Sequence, residues 1–130
     1  MRLAKLSDIH GNPTALEAAL DDVAQLGGAD GNSILGDLAA IGFDPAGVLT
    51  RLAALPNARF VQGNTDRYVV TGDRPSPSVG EAEADAALLP RLVEVAHSFA
   101  CTRGYVSADG WFDWLAGLPV GERMVSPDGT

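Results

Sequence analysis

Arg2-Leu3-Ala4-Lys5-Leu6-Ser7-Asp8-Ile9-His10-Gly11-Asn12-Pro13 is the stretch on which the reading of this chain turns. Arg2 to Leu6 is a short run that stops at polar Ser7-Asp8, the pattern of a buried strand. Asn12 then offers a capping oxygen, and Pro13 at the first helical position gives up no donor that a helix needs. A strand therefore passes into a helix, and the connection carries an aspartate and a histidine. Leu16, Leu20 and Val23 recur at helical spacing, with Leu26 one step further, so one face turns inward. Gly27-Gly28 closes the helix, because glycine accepts the left-handed conformation at which helices often stop.

The unit recurs downstream. Ser33-Ile34-Leu35 reads as a second strand ending at Gly36-Asp37. Asp44-Pro45 repeats the cap and first-turn proline, Val48, Leu49, Leu52 and Leu55 line a face, and Pro56-Asn57 breaks it. Ala58 to Gln62 reads as a third strand ending at Gly63-Asn64. Strand, helix, strand, helix, strand with short connections predicts an α/β fold, a parallel sheet flanked by helices with right-handed crossovers. Beyond it, Thr71 to Gly80 is rich in Pro, Ser and Gly and reads as a surface loop (71–80). A helix follows from about Glu81 to Phe99, kinked or restarted at Pro90, with Leu88, Leu92, Val95 and Phe99 on one face. A short helix near Ala108 to Ala116 carries Trp111 and Trp114 as packing residues. Val120 to Val125 reads as a strand, and Pro127-Asp128-Gly129 as a turn.

Composition narrows the function classes. The 130 residues make one ordinary domain (1–130), and with 46% hydrophobic residues the chain can bury a core. The formal net charge of -8, with Arg and Lys scattered singly, argues against a broad nucleic-acid surface. Cys101 is the single cysteine, so no internal disulfide forms, and a reducing, cytoplasmic setting is the simplest expectation. It is expected to pack rather than react. Met1 to Ser7 is too short and too soon polar for a signal peptide, and no apolar run reaches the roughly 18–20 residues of a membrane span. Whether the chain forms a homo-oligomer is left open.

The polar residues of interest share one kind of place: Asp8 and His10 after the first strand, Asp37 after the second, Asn64 and Asp66 after the third. Ligands bind at the carboxyl edge of an open parallel sheet, so these side chains are expected to meet. Carboxylate and amide oxygens favour Mn²⁺, Mg²⁺ or Fe²⁺, and an imidazole also accommodates Zn²⁺ or iron. A carboxylate between two metals can bridge them, as two-metal phosphoryl-transfer sites require. Gly36 and Gly63 permit the sharp turns that aim Asp37 and Asn64 at one point. Each residue also has a plainer reading. Asp8 and Asp37 can cap turns, His10 can pack beside the helix start, and Gly-Asn is common turn chemistry. Asn12 is better read as a helix cap than as a ligand. Asp66 positions its neighbours by hydrogen bonds, and Arg67 is more readily a surface or ion-pair residue than a phosphate contact.

Ser7-Asp8-Ile9-His10-Gly11-Asn12, Gly36-Asp37-Leu38 and Gly63-Asn64-Thr65-Asp66, in that order, resemble the first three motifs of the calcineurin-like metallophosphoesterases. Gly42-Phe43-Asp44-Pro45 and Arg67-Tyr68 also look like the bacterial and archaeal phosphodiesterase branch. The resemblance implies half of an α/β/β/α sandwich and a metal-dependent phosphoesterase acting on phosphodiesters or phosphomonoesters. It implies two divalent ions, manganese foremost, with iron, zinc, nickel or magnesium as alternatives. Asp8 and His10 would hold the first ion, Asp37 would bridge both, and Asn64 would bind the second. Asp37, Asn64 and Asp66 would form the catalytic set, and the partner would be a small phosphoester, nucleotides included. Two departures stand out. Thr65 occupies a position where many members carry a histidine, and no Gly-His-x-His pair follows Asn64. The resemblance therefore implies a C-terminally truncated domain with impaired catalysis. A non-catalytic scaffold or protein-binding module of the same fold is the alternative. His97, the remaining histidine, falls opposite the apolar face of its helix and is expected in solvent.

Overall fold

The computed structural model describes residues 1–125 and 129. Strands β1 (Leu3–Leu6), β2 (Gly31–Ile34) and β3 (Ala58–Phe60) lie side by side in that order and run parallel. Leu3 faces Gly31 across the first pair, and Ser33 faces Arg59 across the second. Helices α1 (Pro13–Gln25) and α2 (Pro45–Ala53) make the two crossovers and pack on each other. That is the outcome when consecutive right-handed crossovers step along a sheet in one direction and stay on one face. Asn12 caps α1 through Ala15 N–H at 3.0 Å, and Asp44 caps α2 through Gly47 N–H at 2.8 Å.

The core joins Ile34 of β2, Leu16 of α1, and Val48, Leu49 and Leu52 of α2. Leu38, Ala39 and Ala40 are also fully buried, although they belong to a loop. Leu26 departs from the expected apolar face of α1. It is the C-cap residue, where the chain leaves the helix, and it lies exposed.

The second half differs from expectation in several places. Helix α3 (Asn64–Thr71) starts after the three residues that follow β3, where the sequence predicts no helix. The expected helix from Glu81 to Phe99 is two helices, α4 (Val79–Ala84) and α5 (Leu89–Ala108), joined by a 3-10 turn over Ala86–Leu88. The break falls at Asp85, whose carboxylate accepts from Ala87 N–H at 3.0 Å, and not at Pro90. Pro90 sits in the first turn of α5, where its missing donor costs nothing. The last helix, α6, is correspondingly short (Phe112–Ala116).

Val120 to Val125 forms no strand. Gln62 N–H reaches Pro119 C=O at 2.7 Å, and Arg59 pairs with Glu122 at 2.6 Å. The segment thus touches the edge beside β3 without a ladder of backbone bonds, and a strand exists only by such pairing. Of the expected turn at Pro127-Asp128-Gly129, Pro127 and Asp128 lie outside the described residues.

Helix α5 packs on α2 and α3 through Val95, Phe99 and Val106, with Leu88 and Leu92 half-buried. Phe60 of β3 meets Trp114 edge to face at 5.2 Å, and Trp111 meets Trp114 at 5.6 Å, so both tryptophans pack. Cys101, expected to be buried, is exposed on α5, with its Sγ 3.4 Å from His97 Nε2. Among the described residues no helix is long and apolar enough to cross a membrane.

Candidate metal centre

The loops that leave β1 and β2 are laced together by backbone hydrogen bonds. His10 N–H donates to Asp37 C=O at 2.9 Å, Gly11 N–H to Leu38 C=O at 2.8 Å, and Asp44 N–H to Gly11 C=O at 3.0 Å. Gly11 takes a positive φ of 59°, and a Cβ there would meet Ala39 C=O at 2.7 Å, so only glycine fits. The lacing fixes where the side chains of Asp8, His10 and Asp37 begin.

Those three residues converge. One ligand atom from each lies within 4.8 Å of the others. All three also have left-handed backbones, with φ of 55° at Asp8, 48° at His10 and 57° at Asp37. Non-glycine residues enter that region at a cost of roughly 1–3 kcal/mol, and such strain concentrates where surrounding structure holds a functional geometry.

Each of the three side chains has a partner that orients it. His10 Nδ1 lies 3.2 Å from Ala40 C=O. A carbonyl only accepts, so that contact places the proton on Nδ1 and leaves the Nε2 lone pair free, the arrangement usual for a metal-binding imidazole. Nε2 is 3.7 Å from Asp8 Oδ1. Ser7 Oγ donates to Asp8 Oδ2 at 2.5 Å. Asp37 Oδ1 accepts twice from Thr65, from N–H at 2.9 Å and from Oγ1 at 2.7 Å. The N-terminus of α3, with its partial positive charge, therefore faces the Asp37 carboxylate.

Asp66 lies beneath this cluster, with no exposure. Its carboxylate accepts from Asp37 N–H at 2.8 Å, Leu38 N–H at 2.9 Å and Gly63 N–H at 3.0 Å. One buried side chain thus joins the loop after β2 to the turn that opens α3. Burial raises its pKa above the ordinary carboxylate value, the three N–H donors oppose the rise, and the Asp37 charge adds to it. Gly36 and Gly63 pack so closely that a Cβ on either would overlap the other loop's backbone. Gly36 has the left-handed φ of 93°, whereas Gly63 is glycine because of close approach to Asp37.

Asn64, the first residue of α3, reaches the same rim through its neighbour Thr65, and its side chain is exposed. Among the described residues its amide makes no hydrogen bond. Arg67 pairs with exposed Asp73 at 2.9 Å and lies 5.1 Å from the Tyr68 ring centroid, as an ion-pair residue would. His97 is exposed on α5 and is not among the converging residues. Sequence reasoning missed the orienting partners. Ala40 C=O carries no sequence signal, and Thr65 registered only as a replacement for histidine.

The donor set fits a divalent cation. Ligand atoms sharing one ion at about 2.1 Å lie up to roughly 4.2 Å apart, and a small rotation of the exposed Asp8 carboxylate closes the difference. Two carboxylates and one imidazole suit manganese or iron, and admit zinc.

The sequence profile of the calcineurin-like phosphoesterases matches residues 1–124. A metallophosphoesterase from Sphaerobacter thermophilus superposes with a TM-score of 0.66 at 27% identity, covering 98% of this chain and 44% of that one. A hypothetical protein from Pyrococcus horikoshii OT3 superposes with a TM-score of 0.68 at 21% identity, covering 91% of this chain and 48% of that one, a likeness of fold. This chain spans less than half the length of either structure. No protein of curated function matches it.

Proposed function

This chain belongs to the calcineurin-like phosphoesterase family, and on that premise we propose that it carries the metal-binding part of a phosphohydrolase acting on small phosphodiesters or phosphomonoesters. Asp8, His10 and Asp37, with Asn64, would hold the divalent ions. The observation that carries this reading is the convergence of Asp8, His10 and Asp37, each in a strained left-handed backbone, within 4.8 Å. Bound divalent ions would supply an acidified water and offset the charge of the phosphoryl oxygens. The oxygen-rich donor set with one imidazole favours manganese, with iron, zinc, nickel and magnesium as alternatives.

The chain's own residues divide the remaining work. His10 presents Nε2 because Ala40 holds Nδ1. Thr65 fixes Oδ1 of Asp37 and leaves Oδ2 free of these bonds. Asp66 is a positioning residue, since it holds the backbone of Asp37 and touches no reacting atom. Thr65 cannot protonate a leaving group near neutral pH, so that proton comes from solvent or from the substrate's own surroundings. Exposed Cys101 suits a reducing, cytoplasmic compartment.

Calorimetric titration with Mn²⁺ tests the reading. Asp37→Asn keeps an acceptor for Thr65 and removes the charge, so it should weaken binding by at least roughly tenfold. His10→Ala should do the same. Hydrolysis of bis(p-nitrophenyl) phosphate, followed in parallel, reports whether the bound metal is catalytic. Manganese affinity that ignores both substitutions rules the assignment out and leaves a scaffold of the same fold.

A further inference from the structure

Ile41 is the least relaxed residue of the centre's surroundings. It has φ of 82°, a backbone region in which a β-branched side chain is an outlier, yet it is 60% exposed. Two residues on, Phe43 is 72% exposed. Burial explains neither side chain. The loop is held in place by Gly42, which sits so close to the His10 carbonyl that a Cβ would overlap it, and by the bond from Asp44 N–H to Gly11 C=O. Glycine or asparagine at 41 would relax the backbone, so the isoleucine side chain itself calls for a use.

The cavities on either side of Ile41 indicate that use. One, of about 310 Å³, is lined by Asp8 and His10 together with Leu16, Ala19, Ile41 and Phe43. The other, of about 200 Å³, is lined by Asn64 and Thr65 together with Tyr68 and Phe99. Arg91 and Glu94, paired at 2.9 Å, line the second cavity and offer both donors and acceptors. Ile41 lines both. The two spaces thus border different residues of the candidate centre; both are mostly apolar in lining, and the second alone carries a charged pair, Arg91 and Glu94.

We propose that Ile41 and Phe43 are specificity-determining residues that sort the two organic groups of an unsymmetrical phosphodiester. A flat apolar group lies against Phe43 in the larger cavity. A polar, hydrogen-bonding group lies in the smaller one, beside Arg91 and Glu94, with Ile41 as the partition. This rests on the metal-site reading above, because the phosphoryl group that joins the two halves would sit on that centre.

Phenyl thymidine 5′-phosphate has this form, and its phenol is a poorer leaving group than p-nitrophenol. Titrated calorimetrically into the Mn²⁺-loaded protein, it should bind roughly tenfold tighter than methyl phenyl phosphate or methyl thymidine 5′-phosphate, diesters of the same charge that each lack one of the two groups, the gain of one further ring. Phe43→Ala should remove most of the gain over methyl thymidine 5′-phosphate. Ile41→Gly, which relieves the left-handed backbone and so keeps the fold, should reduce discrimination between the full diester and the methyl diesters. Both variants should titrate Mn²⁺ like the wild type. A full diester that binds no tighter than the methyl diesters, or variants that bind it like the wild type, would overturn the proposal. If the wild type takes up no Mn²⁺, the metal reading has failed instead. The cavities are then judged by NMR of metal-free protein, where the diester must shift the Ile41 methyl and Phe43 ring signals for the proposal to stand.

Discussion

Asp66→Asn is the most informative single substitution in this fold. The wild-type carboxylate accepts three backbone N–H bonds, two on Oδ2 from Asp37 and Gly63 and one on Oδ1 from Leu38. An asparagine has one oxygen. If it takes the Oδ2 position, two bonds survive without the carboxylate's charge, and the amide NH₂ is forced against Leu38 N–H. One charge-assisted bond is then lost, about 1.5–3 kcal/mol, and a buried donor is left unsatisfied, about 1–3 kcal/mol. Part of this is returned, because burial makes the ionised carboxylate itself costly, as its raised pKa indicates. The net expectation is a loss of roughly 2–4 kcal/mol, a large fraction of the stability of a domain of this size. Urea denaturation measures it, with an unchanged slope expected, since the surface exposed on unfolding is the same. Amide exchange at Asp37, Leu38 and Gly63 should accelerate most. Manganese affinity should also fall, by roughly tenfold or more, because Asp37 loses its support. A stability loss of less than about 0.5 kcal/mol would refute the claim that Asp66 holds the two loops together.

Further substitutions probe the other supports. Thr65→Val keeps the shape and N–H but removes the 2.7 Å bond from Oγ1 to Asp37. It should cost about 1 kcal/mol in urea and about tenfold in Mn²⁺ affinity, while Thr65→Ser restores both. Asp44→Ala removes the α2 cap on Gly47 N–H and should cost about 1 kcal/mol, and Asp44→Asn only a fraction of that. Glu81 has a pKa lowered from 4.5 by bonds from Ser78 N–H, then from the Ser78 and Ser76 hydroxyls. Its contribution is therefore present above the unfolded value of 4.5 and lost as pH falls through the lower folded value. NMR shifts of α4 should report fraying on acidification below 4.5, and Glu81→Gln should abolish that pH dependence; an unchanged profile would remove the capping account.

The parallel sheet was legible because each of its signals is local. Asn12-Pro13 and Asp44-Pro45 cap helices as their chemistry dictates, and the apolar spacing of Val48, Leu49 and Leu52 marks the face that became core. What the sequence concealed depends on contacts between segments. Helix α3 begins where Gly63-Asn64 reads as a turn, because the Asp66 carboxylate, at the third helical position, accepts from Gly63 N–H and is held there by Asp37 and Leu38. Seen in sequence, Asp66 is one acidic residue among many. Val120 to Val125 has strand composition, but composition cannot supply a neighbour to pair with.

The convergence of Asp8, His10 and Asp37 was foreseeable from their place at the strand ends, and their backbone conformation was not. Left-handed φ is expected at glycine, and Gly11 and Gly36 satisfy that expectation while Asp8, His10 and Asp37 contradict it. The contradiction has one physical resolution. With the loops laced by His10 N–H to Asp37 C=O and Gly11 N–H to Leu38 C=O, a relaxed φ at any of the three would break the lacing or redirect the side chain from the cluster. Three strained residues at roughly 1–3 kcal/mol each would not persist together unless the buried Asp66 network and the core beneath Leu38, Ala39 and Ala40 outweighed them. The burial of that loop is therefore what holds the three side chains together.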